Sequence, residues 1–376
     1  MAVAALMLGT ATAAAATPVA QLPTTIDAGV WRAGHIQGIA VDSKREYCYF
    51  SFTTMLVKTD MSGKVVGTVT GLLGHLGCIE FNDEDGRIYG SLEYKSDSIG
   101  RGILKQENSN RKFDTAFYVA IFDVDKITRT DMNAEKDGIM TSVYLQTVLD
   151  DFEAEVVSEG KTLKHRYGCS GFDGITFGPK FGSRDGKKLL TIAYGIYTDT
   201  KRNDNNHQVL LQFDTKNWSK YEQPLSQDCQ HKSGPKRECG RYFVYTGNTR
   251  WGVQNMEYDA TDNKWMIATY PTDKKSYTDF TLFAVDGNIA PYKGTLRGVE
   301  YQKKGKLLTL TKGGQTDPMN PEIRGWHFDK AAVGIAAIGD NYFYISHRYG
   351  KKPMQGGKAV LFRFTGNAKQ PFDKVW

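Results

Sequence analysis

A short pattern of apolar and polar positions recurs five times along the chain. It reads HIQGIAVD at 35–42, HLGCIEFN at 75–82, GFDGITFG at 171–178, GVQNMEYD at 252–259 and AAVGIAAIG at 331–339. In each copy apolar residues alternate with small or polar ones, which predicts a β-strand. Five related strands in one chain predict a repeat protein whose neighbouring units bury one another.

Each copy is followed by further apolar runs that are rich in β-branched and aromatic residues and bounded by turn residues. Second strands are predicted at 47–53, 87–94, 188–197, 264–270 and 341–348. Third strands are predicted at 55–60, 117–125, 208–214, 280–286 and 358–364, and fourth strands at 64–69, 142–148, 220–225 and 306–311. Four short strands per unit are typical of a propeller blade.

The fold class predicted from this pattern is all-β, a single closed β-propeller with five blades. Six or seven blades would result if the long interval between Cys78 and Gly174 hides a degenerate unit. The fifth unit lacks a clear fourth strand, and an extended segment, 18–31, precedes the first unit. We expect this segment to close the ring on the last blade, because an open blade would expose unpaired edge groups. The inner strands are expected at 37–42, 77–82, 173–178, 254–259 and 333–338.

The first 20 residues differ in composition from the rest of the chain. A short apolar run followed by small residues predicts a signal peptide and therefore a secreted or periplasmic protein. A disordered Ala-rich tail is the alternative, and the propeller domain is 21–376 in either case. In an oxidising compartment Cys229 and Cys239, at the two ends of a polar loop, are predicted to form a disulfide.

Charge narrows the choice of partner. The chain has 48 Lys and Arg against 42 Asp and Glu, a net charge of +6, with local basic excess at 101–112, 230–241 and 348–358. These stretches are either solvated loops or a surface that attracts an anionic polymer. No nucleic-acid-binding motif is present, and no apolar stretch is long enough for a membrane span. We expect a monomer that binds neither nucleic acid nor the membrane core.

The inner strands of a propeller converge on a central channel, so the residues where they begin surround one mouth of it. Polar residues occupy these positions in different units, namely His35, Gln37, His75, Asp173 and Gln254. Variation at an otherwise repeated position indicates a role other than packing. The imidazoles of His35 and His75 could transfer protons or bind a metal, or they could simply cap loop backbone.

Basic and aromatic residues precede three of the inner strands. Arg250 and Trp251 precede the fourth, Arg324 and Trp326 the fifth, and Tyr167 the third. An Arg beside an aromatic ring suits a sugar acid, because the guanidinium holds the carboxylate while the ring stacks on the sugar. A Tyr and a His near a neutralised carboxylate could supply the acid and base of uronate β-elimination. The alternative is that these aromatic residues plug the face of the disc.

Glu80 and Glu257 share a second repeated position. With Asp173 they place three carboxyl groups on three inner strands. A glycoside hydrolase needs two carboxyl groups that flank the scissile bond. Under simple alternation, however, Glu80 and Glu257 face the opposite way to Asp173, so they could instead neutralise nearby cations.

The repeated strand G-I-x-[VF]-[DN], as in FDGITFG at 172–178, resembles the strands of secreted β-propellers, including lactonase-like and glycan-active types. Five-bladed glycoside hydrolases are similar in blade number and in a three-acid pattern. Propeller polysaccharide lyases, and rhamnosidases that act next to glucuronate, are similar in their supply of His, Tyr and Arg. The resemblance covers 18–366 and implies an architecture rather than one reaction.

The favoured hypothesis is an exported carbohydrate-active enzyme that cleaves an anionic, uronate-containing glycan by lyase or hydrolase chemistry. Its catalytic residues would be His75, His35, Tyr167 and Asp173, and its substrate-binding residues Gln37, Arg250, Trp251, Gln254, Arg324 and Trp326. A non-catalytic glycan- or protein-binding propeller is the alternative. A third possibility is a metal-dependent lactonase or esterase. The first hypothesis requires no cofactor, whereas the third needs a divalent metal such as calcium.

Overall fold

The computed structural model describes residues 16–376, so residues 1–15 of the predicted export segment lie outside the described residues. Five mainly antiparallel sheets surround a central channel and form a five-bladed β-propeller, which confirms the predicted fold. The first strand, β1 (Thr25–Trp31), belongs to the last blade. Short 3-10 turns lie at Val19–Gln21, Val124–Lys126, Arg166–Gly168, Trp218–Lys220 and Asp329–Val333.

Blade 1 contains four consecutive strands: β2 (Ile36–Val41), β3 (Tyr47–Phe52), β4 (Met55–Asp60) and β5 (Val65–Thr70). Blade 2 begins with β6 (His75–Asn82) and β7 (Arg87–Tyr94), followed by helix α1 (Ser98–Gln106) and β8 (Ala116–Phe122). The short β9 (Met132–Asn133) joins blade 1, and β10 (Met140–Tyr144) is the fourth strand of blade 2. Helix α2 (Gln146–Glu153) and the hairpin β11 (Glu155–Ser158) and β12 (Lys161–Lys164) lead to the next blade.

Blade 3 is formed by β13 (Cys169–Gly178), β14 (Leu189–Ile196), β15 (His207–Phe213) and β17 (Gly240–Tyr245), while β16 (Gln223–Pro224) pairs with blade 2. Blade 4 has three strands: β18 (Val253–Asp259), β19 (Lys264–Thr269) and β20 (Leu282–Asp286). The hairpin β21 (Tyr292–Thr295) and β22 (Lys304–Leu307) then extends blade 3, and β23 (Gln315–Thr316) pairs with β24 (Arg324–Gly325). Blade 5 contains β25 (Ile335–Gly339), β26 (Tyr342–Lys351), β27 (Met354–Phe364) and β28 (Phe372–Lys374).

The N-terminal strand closes the ring. Strand β1 runs antiparallel to β27, with Thr25 opposite Val360 and Trp31 opposite Gln355. The last blade therefore receives its outer strand from the other end of the chain. This is the closure expected from the spare extended segment, and it covers an edge that would otherwise present unpaired backbone groups.

Three predicted fourth strands differ from the structure. The run predicted at 220–225 supplies β16 to blade 2. The run at 306–311 is divided, since Lys306 and Leu307 pair with β17 of blade 3 whereas Leu310 bridges to Val285 of blade 4. The strand predicted at 142–148 ends at Tyr144, after which Val148 and Leu149 lie on the buried side of α2. Alternation identifies an extended segment, but it does not specify which of two neighbouring sheets the segment joins.

A β-bulge near the beginning of four inner strands breaks the alternation of faces. The pairing register shifts between Ile36 and Gly38 in β2, Leu76 and Ile79 in β6, Phe172 and Gly174 in β13, and Val253 and Asn255 in β18. Because a bulge turns one extra side chain toward the same face, Gln37, Gly77, Asp173 and Gln254 face the channel together with the residues that follow them. The expected opposition between Asp173 and the two glutamates therefore disappears.

The channel is closed halfway along its length. The residues aligned there are Gly38, Cys78, Gly174, Asn255 and Gly334, all buried. The Asn255 amide donates hydrogen bonds to the carbonyls of Gln37 (2.8 Å) and Ala332 (3.0 Å), which joins blades 4, 1 and 5. A Cβ on Gly38 would lie 3.0 Å from the Cys78 Cα, so the inner strands nearly touch. The channel is thus divided into two separate cavities, one at each mouth.

All five cysteines are free thiols among the described residues. Cys48, Cys78 and Cys169 are buried, as small strand residues should be, but the predicted Cys229–Cys239 disulfide is not formed. The two ends of the loop are held apart by different blades. The Cys239 backbone donates to the Gln212 carbonyl of blade 3, whereas Gln227, near Cys229, is bonded to the Gly71 carbonyl at the end of blade 1.

Candidate active site at one channel mouth

A cavity of about 400 Å³ opens at the mouth where the inner strands begin. All five blades contribute to its lining. The five polar residues predicted to gather at this mouth all line it: His35, Gln37, His75, Asp173 and Gln254. The structure therefore brings these residues together, and their bulged positions on separate strands explain why one cavity can hold them all.

His75 is the first residue of β6, and its imidazole is largely enclosed. Its Nδ1 lies 3.5 Å from Oδ1 of Asp173, and 14% of its side chain is exposed. Burial lowers the pKa of His75 to about 4, since the charged imidazolium is poorly solvated there. The ring is therefore neutral at ordinary pH, and its Nε2 makes no hydrogen bond within residues 16–376. A neutral imidazole with a free nitrogen and a carboxyl partner has the arrangement of a general base.

Asp173 stands on the bulge of β13 and is held from the other side by Gln254. The Gln254 Nε2 donates to Asp173 Oδ2 at 3.3 Å and to the Trp251 carbonyl at 2.8 Å. Burial raises the pKa of Asp173, while the Lys95 charge and the Gln254 hydrogen bond act in the opposite direction. Asp173 Oδ1 is buried without a hydrogen-bond partner among the described residues, so it is available to support a proton on His75.

An ion pair that the sequence did not reveal as functional lies beneath His75. Lys95 Nζ is 2.7 Å from Glu93 Oε2 and donates to the Ser170 carbonyl at 2.6 Å. Burial raises the pKa of Glu93 to about 7, although the lysine charge opposes that shift. Burial alone would lower the pKa of Lys95, but the nearby Glu93 and Asp97 carboxyl groups outweigh it and raise that pKa. The backbone N–H of Phe172 occupies Glu93 Oε1, so both Glu93 oxygens are engaged. The sequence signal that could have revealed this pair is a Glu and a Lys at the end of β7, a strand that is otherwise largely apolar.

The residues of this cluster could be considered as metal ligands. Ligand atoms of His75, Glu93 and Asp173 all lie within 4.8 Å of one another. A cation at that point would have to displace the Lys95 ammonium from Glu93, where it already supplies one positive charge. The donor set therefore fits an ammonium group and a shared proton better than a divalent metal.

Helix α1 forms one wall of the cavity and lies between the predicted strands 87–94 and 117–125. Asp97 caps the helix by accepting hydrogen bonds from the N–H groups of Ile99 and Gly100, both at 3.0 Å. The other Asp97 oxygen accepts from the Tyr197 hydroxyl at 3.0 Å. Ser98, Ile99, Gly102, Ile103 and Gln106 face the cavity. The cap thus fixes a helical wall beside the acid–base cluster.

Trp251 and Tyr270 form the opposite wall. Both residues line the cavity, and both also line a second cavity between blades 4 and 5. Trp251 has φ +62°, a strained conformation for a residue with a large side chain, which directs its carbonyl to Gln254. Burial raises the pKa of Tyr270, while Arg348 and Arg250 oppose the shift, so the phenol is protonated. Arg250 lines the second cavity rather than the first.

Three residues predicted to belong to the site lie elsewhere. Tyr167 is buried in blade 3, packed against Phe243 at 5.3 Å with its hydroxyl bonded to Gln302. Arg324 donates to the carbonyls of Gly313 and Gly314, and Trp326 is buried with its indole N–H on the Asn367 carbonyl. Each of the three is held by contacts away from the mouth, so nearness in sequence to an inner strand did not bring it into the cavity.

His35 lines the cavity, but both of its ring nitrogens contact neighbouring residues. Its Nδ1 is 2.7 Å from the Ile36 carbonyl, and its Nε2 is 3.5 Å from the Gln37 amide, which also donates to Thr53. Burial lowers its pKa, and the positive charges of Arg348 and Lys352 lower it further. This environment makes His35 a neutral polar wall residue, in contrast to the free ring nitrogen of His75.

Glu80 and Glu257 line a separate cavity of about 340 Å³ at the opposite mouth. Their carboxyl groups are hydrogen-bonded to each other and lie on the far side of the Asn255 layer from Asp173. The three acids therefore do not converge on one site. A glycoside hydrolase arrangement of Glu80, Asp173 and Glu257 is not formed.

Comparison with known proteins identifies no family for this chain. No protein-family model matches the chain, and no curated protein matches it. Among solved structures, a protein of unknown function from Bacteroides caccae is 8% identical with a TM-score of 0.31, over 74% of this chain and 86% of that one. The soluble aldose sugar dehydrogenase of Escherichia coli, in its apo-form, is 9% identical with a TM-score of 0.35, over 89% and 98% of the respective chains. Likeness at this level says nothing about activity.

Within residues 16–376, none of the helices has the length and apolar character needed to cross a membrane.

Proposed function

We propose that this protein is an exported, monomeric enzyme that cleaves an anionic, uronate-containing glycan by β-elimination at the His75 mouth. The observation that carries the proposal is the pairing of a neutral His75, with a free Nε2, to the Asp173 carboxyl inside an enclosed cavity. A base that is unprotonated at ordinary pH is what removal of a carbon-bound proton requires.

The cavity offers each part of that reaction. His75 Nε2 takes the proton from the carbon next to the uronate carboxylate, and Asp173 stabilises the resulting imidazolium. The electron pair of the broken C–H bond forms the C=C bond as the C–O bond to the leaving sugar breaks. The protonated phenol of Tyr270 gives its proton to the leaving oxygen, and solvent returns the proton from His75 to Tyr270.

The carboxylate of the reacting residue also needs a positive charge, because the carbanion-like transition state builds negative charge beside it. Lys352 lines the same cavity, is exposed, and makes no ion pair within the described part of the chain. Lys95 lies deeper and already neutralises Glu93. Lys352 is therefore the cation that is free to meet the substrate.

Hydrolysis by two carboxyl groups is less well supported by the geometry. Both oxygens of Glu93 are occupied by Lys95 and by the Phe172 backbone, which leaves Asp173 as the single available carboxyl group in the cluster. A hydrolase would need a second one to activate water or protonate the leaving group.

The direct test is turnover of size-defined uronate polymers by the wild-type protein and by the His75→Gln variant. Glutamine keeps a polar side chain but cannot act as a base, so we expect turnover to fall by at least ~10²-fold. Arg324→Gln is the control, since Arg324 lies away from the cavity. Binding of the polymers without any turnover by the wild-type protein would contradict the proposal and favour a non-catalytic binding propeller.

A further inference from the structure

A second cavity of about 470 Å³ adjoins the first on the far side of Trp251 and Tyr270. It lies between blades 4 and 5, and three cationic side chains line it. We call this site the basic pocket and define it by Arg250, Lys330 and Arg348. Since the same two aromatic residues line both cavities, one extended molecule can pass along their shared wall and occupy both.

The basic pocket carries uncompensated positive charge. Arg348 and Lys330 form no ion pair within residues 16–376, and Arg250 lies 3.5 Å from Asp273 with 43% of each side chain exposed. An exposed pair at that distance is a weak interaction, so Arg250 can exchange Asp273 for another anion. Asp329 is the one acidic residue that lines the pocket, so the three cations outnumber it.

A partly buried histidine adjoins the three cations of the basic pocket. His347 lines the basic pocket, and its Nε2 is buried without a hydrogen-bond partner among the described residues. Burial lowers the pKa of His347, and the charges of Lys330 and Lys374 lower it further, so the ring is neutral. The ring stacks on Phe362 at 5.8 Å, so His347 forms a neutral part of the pocket wall beside the cations.

We infer that the basic pocket is a subsite for the carboxylate or sulfate of the sugar residue next to the one that is cleaved. This inference rests on the proposed function. Trp251 and Tyr270 supply aromatic faces on which neighbouring sugar rings can stack, and Arg348 and Arg250 supply the planar donors that match an oxyanion. The substrate would therefore be a chain with anionic groups on adjacent residues, and the shortest good substrate would be longer than the single reacting residue.

The test compares an Arg348→Gln and Lys330→Gln double variant with a matched double variant, Lys293→Gln and Lys306→Gln. Lys293 and Lys306 are exposed, face each other across the β21–β22 hairpin and lie far from the mouth, so the control removes the same charge. Probes are size-defined galacturonate and alginate oligosaccharides and their carboxyl-reduced, neutral counterparts. Binding and turnover are both measured, over a range of salt concentrations.

We expect the basic-pocket variant to bind the anionic oligosaccharides at least ~10-fold more weakly, with a smaller dependence on salt, and to show a raised KM. Binding of the neutral counterparts and the behaviour of the control variant should not change. Wild-type affinity in the basic-pocket variant, or an equal loss in the control, would overturn the inference. If the wild-type protein binds these chains through the basic pocket without cleaving them, the proposed function fails while the subsite stands. If the chains are cleaved and the basic-pocket variant has an unchanged KM, the proposed function stands while the subsite fails.

Discussion

Glu80 and Glu257 form a hydrogen-bonded carboxyl pair across the channel, at the mouth opposite His75. Glu80 also accepts hydrogen bonds from the Thr176 hydroxyl and the Phe81 backbone, both at 2.9 Å, and Glu257 accepts one from the Ala337 backbone at 2.9 Å. Burial raises the pKa of both carboxyl groups, and the bond to Glu80 raises that of Glu257 further. Two carboxylates this close cannot both be ionised at little cost, so Glu257 keeps a proton and donates it to Glu80.

The hydrogen bonds of the Glu80–Glu257 pair join blades 2, 3, 4 and 5. The raised pKa values of the pair make the stability of the protein depend on pH. Both carboxyl groups hold protons more tightly in the folded than in the unfolded state, so the free energy of unfolding should fall as pH rises above about 4.5. Asp83 and Asp259 add to the effect because their charges raise the pKa of Glu80 and of Glu257 respectively.

Replacement of Glu257 by Gln should flatten this dependence. The amide N–H can still donate to Glu80, but it cannot ionise. Urea unfolding of both proteins from pH 5 to pH 9 should show the wild type losing stability relative to the variant as pH rises, by about 1.4 kcal/mol for each unit of pKa difference between the folded and unfolded states. Parallel curves for the two proteins would show that the pair does not share a proton.

The acidic limb of the activity profile should lie below the usual pKa of histidine. Because burial lowers the pKa of His75 to about 4, the base form persists well below pH 6.5. We expect kcat/KM to fall through about pH 6, where Asp173 takes up a proton, and to fall further near pH 4, where His75 does. In the Asp173→Asn variant, the decline of kcat/KM toward acidic pH should reflect protonation of His75 alone, and kcat should be lower. A half-maximal value at or above pH 6.5 would indicate a different base.

The Glu93–Lys95 pair should depend on the absence of a side chain at Gly171. Gly171 has φ +120°, and a Cβ there would lie 1.9 Å from Glu93 Oε1. Gly171→Ala should displace Glu93, lower turnover and cost about 1–3 kcal/mol of stability. Gly160→Ala is the matched control, since Gly160 also has positive φ (+68°), but a Cβ added there would have no neighbouring atom within 4 Å. If both variants behave alike, backbone strain alone explains the loss.

Two tyrosines that could supply the leaving-group proton should respond differently to loss of the hydroxyl. Tyr270 lines the cavity, whereas Tyr167 is buried in blade 3. Tyr270→Phe should lower kcat by at least ~10²-fold with little change in folding, and Tyr167→Phe should leave turnover unchanged. Equal activity of Tyr270→Phe and wild type would remove Tyr270 as the acid.

The sequence predicted the five blades, the closing strand and the gathering of polar residues at one mouth, because all three depend on a repeated strand pattern. It could not settle which way Asp173 faces relative to Glu80 and Glu257. That orientation depends on a β-bulge. The only signal of the bulge in the sequence is that two residues, rather than one, separate the buried Phe172 and Ile175.

Partners from distant parts of the chain were harder to predict. Lys95 meets the Ser170 carbonyl and Glu93 meets the Phe172 backbone, contacts that alternation within one strand does not encode. Tyr270 comes from the end of the second strand of blade 4, and Lys352 from the long β26–β27 hairpin of blade 5. Tyr270 reaches the mouth because β19 runs antiparallel to β18 and ends beside its beginning, and Lys352 reaches it because the β26–β27 hairpin is long.

In the proposed function, His75 drives elimination rather than attack by water. The most direct measurement is cleavage of a uronate polymer in water labelled with heavy oxygen, followed by mass spectrometry of the products. Elimination breaks the C–O bond without water, so we expect unsaturated uronate ends, no labelled oxygen at the cleavage point, and loss of this product in His75→Gln. Saturated products that carry the label would contradict it and would identify the enzyme as a hydrolase.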